Sequence, residues 1–84
     1  MRYTVVTTPL ADDQLTRIWL NATDRQDVSD AYDSIEARLK NNANSQGRLH
    51  PSGWRVISNA PLIVSFLVRE EDRLVKILSI DYRP

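Results

Sequence analysis

The side chains in this sequence that could do chemistry lie in its second half, and most of them are arginines. The candidates are Arg48, His50, Arg55, Arg69, Tyr82 and Arg83. The sequence has no cysteine and a single histidine, and it contains no glycine-rich phosphate loop, nucleophile motif or metal-ligand spacing. We therefore expect neither a metal nor another cofactor.

Arginine, histidine and tyrosine together can cleave RNA without a metal. A base removes the proton of the ribose 2′-hydroxyl, an acid protonates the leaving oxygen, and arginine stabilises the charge that develops on the phosphate. Arg55 and Arg83 can converge on one phosphate if the second and fourth predicted strands are neighbours in the sheet. The alternative is that all six side chains are ordinary surface groups.

The charges of the sequence balance overall but are unevenly distributed. Eleven Lys and Arg residues oppose eleven Asp and Glu residues. Residues 1–36 hold three arginines and seven acidic side chains, whereas residues 37–69 hold five basic side chains and no acidic one. The basic middle segment fits a surface that faces phosphates, and it fits equally a solvated face opposite an acidic helix.

Length and composition indicate one small folded domain, residues 1–84. A hydrophobic content of 42% and a charged content of 26% are ordinary for a globular protein. No stretch approaches the roughly 18 consecutive apolar residues that cross a bilayer. The segment Tyr3–Val6 is typical of a strand rather than of a signal peptide. We therefore expect a cytoplasmic protein that does not bind membranes.

Two amphipathic helices are predicted in the first half of the chain. Thr8 can cap the first helix, and Pro9 suits its first position because an N–H there would be unpaired. The second helix is predicted over Arg25–Asn41 with Asp24 as its cap, and the short break between the helices favours an antiparallel hairpin. Apolar residues at helical spacing give each helix a stripe that faces the core: Ala11, Leu15, Ile18, Trp19 and Ala22 on the first, and Val28, Ala31, Tyr32, Ile35 and Leu39 on the second. We expect Trp19 to anchor the core.

Four strands are predicted around these helices from their content of β-branched and aromatic residues. They are Arg2–Thr7, Trp54–Ser58, Leu62–Arg69 and Leu74–Ile80. The polar segment Asn41–Gly53 is predicted to be a loop. The predicted fold is α+β, in the order β-α-α-β-β-β, with the helical hairpin packed on one face of a small, mainly antiparallel sheet.

The last two predicted strands are apolar on both faces. If Arg69 pairs with Leu74, the face that suits the helices carries Val64, Phe66, Val68, Val75 and Ile77. The opposite face then carries Ile63, Ser65, Leu67, Leu74, Lys76, Leu78 and Ile80. A sheet with one solvated face should alternate more cleanly. We therefore expect a partner protein, or a second copy of the chain in a homodimer, to cover this face.

Six segments, in this order and at this spacing, carry a resemblance that covers nearly the whole chain. They are Tyr3–Val6 with Pro9–Ala11, Leu15, Ile18 and Trp19; Asp27, Val28, Ala31, Ile35 and Leu39; Gly47; Trp54–Ile57; Pro61–Phe66; and Asp72–Leu78. Together they resemble the RelE/ParE superfamily of toxins from bacterial type II toxin–antitoxin systems, which includes plasmid-stabilisation proteins. The resemblance implies a toxin that a cognate antitoxin neutralises by wrapping around it.

The resemblance also implies roles for individual residues. Ile63, Leu67, Leu74 and Leu78 would bind the antitoxin. In a metal-free endoribonuclease that cleaves mRNA on the ribosome, Arg55 and Arg83 would bind the scissile phosphate and His50 or Tyr82 would move protons. Further RNA phosphates would be bound by Arg48, Arg69 and Lys76.

The sequence departs from the nuclease pattern of this superfamily in three respects. Its balanced charge is unlike that of the strongly basic nucleases. Leu62 and Ile63 stand where nucleases often carry a second arginine, and the further C-terminal tyrosine or helix of many members does not follow Arg83. Two alternatives to RNA cleavage therefore stay open. One is a non-enzymatic inhibitor that binds DNA gyrase, and the other is a degenerate member that acts only as an interaction domain.

Overall fold

The computed structural model describes residues 2–84, so that Met1 of the predicted domain lies outside the described residues. Its elements are β1 (Thr4–Thr7), α1 (Pro9–Asn21), α2 (Arg25–Asn42), a 3-10 turn (Ala43–Ser45), β2 (Arg48–Leu49), β3 (Arg55–Asn59), β4 (Leu62–Arg69) and β5 (Leu74–Tyr82). In residues 2–84 we find no helix with the length and apolar character that a bilayer crossing requires.

The five strands form one sheet in the order β1-β5-β4-β3-β2. β1 runs parallel to β5, and the other neighbours are antiparallel. The predicted α+β fold is confirmed, including the pairing of Arg69 with Leu74. β2 was not predicted, because two residues are too few to show a strand pattern.

Both helices begin at the predicted capping residues. The hydroxyl of Thr8 accepts a hydrogen bond from the backbone N–H of Ala11 at 3.2 Å, and it also lies 3.0 Å from the carbonyl of Ile77, to which it donates. The carboxylate of Asp24 accepts from the backbone N–H of Asp27 at 3.1 Å. Thr8 therefore both starts α1 and fastens that end of the helix to β5.

The core lies between the helical hairpin and one face of the sheet. From the helices it takes Ala11, Val28, Ala31, Ile35 and Leu39, and from the strands Ile57, Leu62, Val64, Phe66, Val75, Ile77 and Ile80. The predicted stripe of α2 is confirmed, and its members Val28, Ile35 and Leu39 are fully buried. The helices thus cover one face of the sheet and leave the other open.

The predicted position of Ile80 is wrong because β5 contains a bulge. Phe66 pairs with Ile77 and Ser65 pairs with Ser79, which leaves Leu78 without a partner on β4. One extra residue resets the alternation of side chains. Ile80 is therefore buried, with 1% of its surface exposed, instead of lying on the open face.

The prediction that Trp19 anchors the core is also wrong, since 40% of its surface is exposed. It lies about 100° further round the helix than Ile18, at the margin of the apolar stripe. Its indole Nε1 donates to the hydroxyl of Ser29 on α2 at 3.2 Å. Trp19 therefore lies across the junction of the two helices and does not anchor the core.

Candidate functional site

The residues predicted to act on RNA fall into separate places. Arg48, His50 and Arg55 lie in or beside the β2–β3 hairpin, whereas Tyr82 and Arg83 lie at the far end of β5. The remaining two, Arg69 and Lys76, are at the end of β4 and on the open side of β5.

The predicted convergence of Arg55 and Arg83 is wrong. The prediction required the strands that carry these residues, β3 and β5, to be neighbours, but β4 lies between them. Arg55 is level with Phe66, which pairs in turn with Ile77 of β5. Tyr82 pairs with Leu62, four residues from Phe66 along β4, and Arg83 is one residue further, so the separation along the strands is roughly 17 Å at the rise of an extended strand. Arg55 and Arg83 therefore lie far apart, on strands that are not neighbours.

Arg55 is held by the loop that precedes β2. Its Nε donates to the backbone carbonyl of Gln46 at 2.8 Å, while Nε of Arg38 on α2 donates to the side-chain oxygen of the same glutamine at 3.0 Å. Gln46 thus lies between two guanidinium groups. Sequence reasoning missed Arg38 and Gln46 because a helix residue on a polar face gives no signal of a contact with a distant loop.

Gly47 allows this loop to pass close against the sheet. Its φ of +69° is a left-handed conformation that glycine adopts without strain. A Cβ atom at this position would overlap the backbone carbonyl of Val56 on β3. The close passage lets the next residue, Arg48, pair with Val56 as the start of β2.

Three arginines make this part of the molecule strongly basic, and we call Arg38, Arg48 and Arg55 the basic edge. Among residues 2–84, none of the three forms an ion pair with a carboxylate. Arg38 and Arg48 line a groove of about 540 Å³ together with Gly47, Val56, Ile57 and Ser58. Guanidinium groups without acidic partners are suited to binding phosphates or carboxylates.

His50 is fixed in the turn between β2 and β3. Its ring stacks on Trp54 with centroids 3.9 Å apart and planes 9° from parallel. Its Nδ1 accepts from the backbone N–H of Ser52 at 3.0 Å, so the proton of the neutral ring is on Nε2. His50 lies in the same hairpin as Arg48 and Arg55. The register places these two arginines on opposite faces of the hairpin, because Arg48 pairs with Val56 and Arg55 pairs with Leu49.

Tyr82 and Arg83 line a different cleft, of about 350 Å³, near the tip of the helical hairpin. The carboxylates of Asp24 and Asp27 line it as well. Carboxylates repel a phosphate, so this cleft is less suited to RNA than the basic edge. The cleft beside Arg69 is also lined by acidic residues, namely Glu70, Glu71 and Asp72.

The face of the sheet opposite the helices carries the residues predicted to bind an antitoxin. We call Val6, Ile63, Leu67, Leu74 and Lys76 the open face. Val6, Lys76 and Leu67 lie side by side on three adjacent strands, and Val6 and Leu67 are each 37% exposed. Leu78, the fourth predicted contact, is the half-buried residue at the bulge. The open face therefore combines two exposed apolar side chains with an exposed lysine between them.

Arg55→Ala should lower the free energy of unfolding by about 1–3 kcal/mol, because it removes a charge-assisted hydrogen bond to a half-buried carbonyl. Arg48→Ala is the matched control. Arg48 is exposed, and we expect its loss to change stability by about 0.5 kcal/mol or less. Urea denaturation followed by circular dichroism measures both, and equal losses would contradict a structural role for Arg55.

The comparison with known proteins supports the fold but gives no information about the residues of the candidate site. No protein-family model matches the sequence, and a search of the curated proteins finds no match either. Among solved structures, the chain is similar to a chain of the toxin–antitoxin complex RelBE2 from Mycobacterium tuberculosis, with a TM-score of 0.80, 19% identity, and coverage of 99% of this chain and 100% of that one. It is similar also to a chain of the chromosomal ParDE TA (toxin–antitoxin) system from P. aeruginosa, with a TM-score of 0.75, 19% identity, and coverage of 99% and 98%. These similarities confirm the predicted fold, which the chain shares with a chain from each of the two toxin–antitoxin systems.

Proposed function

We propose that this protein is the toxin of a bacterial type II toxin–antitoxin module, acting in the cytoplasm as one domain over residues 1–84. The observation that carries the proposal is the fold, which the chain shares over nearly its whole length with a chain from each of two toxin–antitoxin systems. An antitoxin needs an uncovered surface in order to bind and neutralise a toxin. In this fold the uncovered face of the sheet provides such a surface.

The open face is the surface on which we place the antitoxin. Apolar patches of this kind usually mark interaction sites. Leu67 and Val6 flank Lys76 across three strands, so a bound segment would bury two apolar side chains beside one cation. We therefore expect the antitoxin to offer apolar side chains together with a carboxylate that meets Lys76.

Two modes of toxicity remain as candidates, and the geometry favours action by binding. In-line cleavage of RNA needs a base, an acid and a phosphate-binding group around one phosphate. The separation of Arg55 from Arg83, with β4 between their strands, argues against one catalytic centre that contains both. Binding alone, as in inhibition of DNA gyrase, needs only a surface such as the basic edge. A metal-free endoribonuclease acting on ribosome-bound mRNA would have to rely on Arg48, His50 and Arg55.

Leu67→Glu should abolish most of the binding to the antitoxin. A carboxylate in the centre of a buried apolar contact is expected to weaken affinity by about 30-fold or more, as for a binding hot spot. The antitoxin is supplied by co-expression of the neighbouring reading frame, and titration calorimetry measures the affinity. Asn21→Glu on α1 adds the same charge at an exposed position outside the open face and should bind like the wild type.

Two results would reject the toxin proposal. The first is that expression of the protein does not arrest growth, which would instead favour a degenerate interaction domain. The second is that no neighbouring gene product binds it. A separate measurement, the integrity of translated mRNA, identifies the mode of action. Intact message during growth arrest excludes the endoribonuclease. Loss of toxicity in Arg48→Ala with antitoxin binding retained would assign the target contact to the basic edge.

A further inference from the structure

The helical hairpin carries a groove on its own surface, between α1 and α2. Its walls are Leu15 and Trp19 on α1 and Val28 and Tyr32 on α2, with Ser29 and Asp33 at its polar parts. We call this the interhelical groove. It lies on the helical layer, so it is separate from the open face of the sheet.

The shape of the interhelical groove is set by Trp19. The indole is held by its hydrogen bond to Ser29 at 3.2 Å, and the guanidinium of Arg25 lies 4.7 Å from the ring centroid, a cation–π contact. Two restraints on one exposed tryptophan give a wall that exists before any ligand arrives. A preformed wall lowers the ordering cost of binding.

The volume of the groove indicates the size of what it can hold. It is about 270 Å³, just below the range of about 300–1,000 Å³ that is usual for small-molecule sites. It is still several times the share of about 30 Å³ that one water molecule occupies. A single large aliphatic or aromatic side chain from a partner protein matches this size better than a metabolite does.

The surroundings of the groove are acidic at the Tyr32 end. Burial, together with the nearby carboxylates of Glu36, Asp12 and Asp33, raises the pKa of Tyr32 to about 12. Glu36 is already paired with Lys40 at 3.2 Å. Asp33 is exposed and forms no ion pair within residues 2–84. Asp33 is therefore available to pair with a cation of a bound protein partner whose apolar side chain fills the groove.

We propose that the interhelical groove docks a segment of a protein partner in which one large apolar side chain is flanked by lysine or arginine. The apolar side chain fills the space between Trp19 and Tyr32, and the cation pairs with Asp33. This docking does not rest on the proposed toxin function, because it uses neither the open face nor the basic edge.

Synthetic amphipathic peptides of about 20 residues, long enough to form helix, test the groove on the unmodified protein. One peptide carries a leucine anchor flanked by lysines, the second carries the same anchor flanked by glutamates, and the third has lysines with serine in place of the anchor. Binding is followed by NMR through the indole N–H signal of Trp19. We expect the first peptide to bind at least about tenfold more tightly than either of the others.

Two variants localise the charge contribution. Asp33→Asn should weaken binding of the lysine peptide severalfold, whereas Asp30→Asn, exposed on the same helix but outside the groove, should not. Leu67→Glu should leave peptide binding unchanged, which separates this test from that of the antitoxin site. Equal binding of the glutamate peptide, or no binding of any peptide, overturns the proposal. A shift of the Trp19 signal that depends only on protein concentration would mean that a second copy fills the groove, and it overturns the proposal as well.

Discussion

Phe66→Ala should lower the free energy of unfolding by about 3–5 kcal/mol, the usual cost of truncating a buried aromatic side chain. Phe66 is fully buried on the inner face of β4 and pairs with Ile77, which is also fully buried. A domain of this length has a total stability of roughly 4–13 kcal/mol. The substitution therefore removes a large part of it, and thermal and urea unfolding both measure the loss.

The next residue along β4 is the control for this prediction. Leu67 points to the opposite face and is 37% exposed, so Leu67→Ala should cost about 1 kcal/mol or less. A loss as large as that of Phe66→Ala would mean that the open face is already covered in the free protein. It would then contradict the placement of the antitoxin on that face.

Gly47→Ala should lower stability by about 2–4 kcal/mol and displace the loop that carries Gln46. The left-handed backbone alone costs about 1–2 kcal/mol for a residue with a Cβ atom. The new methyl group would also overlap the carbonyl of Val56, so the loop must move away from β3. For a domain of this size the melting temperature should fall by about 10 °C or more.

Gly53→Ala separates the two contributions to this effect. Gly53 also has a positive φ, of +99°, but no atom lies near the position of a Cβ there. Its substitution should cost only the backbone strain, about 1–2 kcal/mol. Equal losses at both glycines would show that the contact with Val56 does not matter. A larger loss of stability at Gly47 supports the loop position described above, particularly if hydrogen exchange at the Arg55 side chain also becomes faster.

Periodicity and capping residues were enough to predict most of the fold. The stripe of Val28, Ala31, Ile35 and Leu39 is local and strict, so it could be recognised without knowledge of the sheet. The caps at Thr8 and Asp24 are equally local signals. The pairing of Arg69 with Leu74 was assumed at the sequence level from the short polar loop between two apolar runs, and the structure has this register.

The predictions from sequence fail where a single residue shifts the strand register, or where the exposure of a side chain depends on a distant segment. In the apolar run from Lys76 to Ile80, nothing marks Leu78 as the extra residue of a bulge, so Ile80 was placed on the wrong face. Trp19 belongs by spacing to the margin of its stripe, and only the position of α2 decides that it stays exposed.

The candidate site depended on the order of the strands. Arg55 could be singled out from the sequence, but its distance from Arg83 follows from the position of β4 between β3 and β5. Strand order is a long-range property, and residue types cannot reveal it. This is why the individual arginines were identified while their grouping was not.

The position of β5 between β1 and β4 governs when the protein can fold during its synthesis. β1 pairs with no strand other than β5, which is separated from it by about seventy residues of chain. At synthesis rates of about 5–20 residues per second, β1 waits on the order of 4–14 seconds for its partner strand. The open face does not exist during this interval. A partner that recognises the open face therefore meets a complete surface only after Leu74–Tyr82 has left the ribosome.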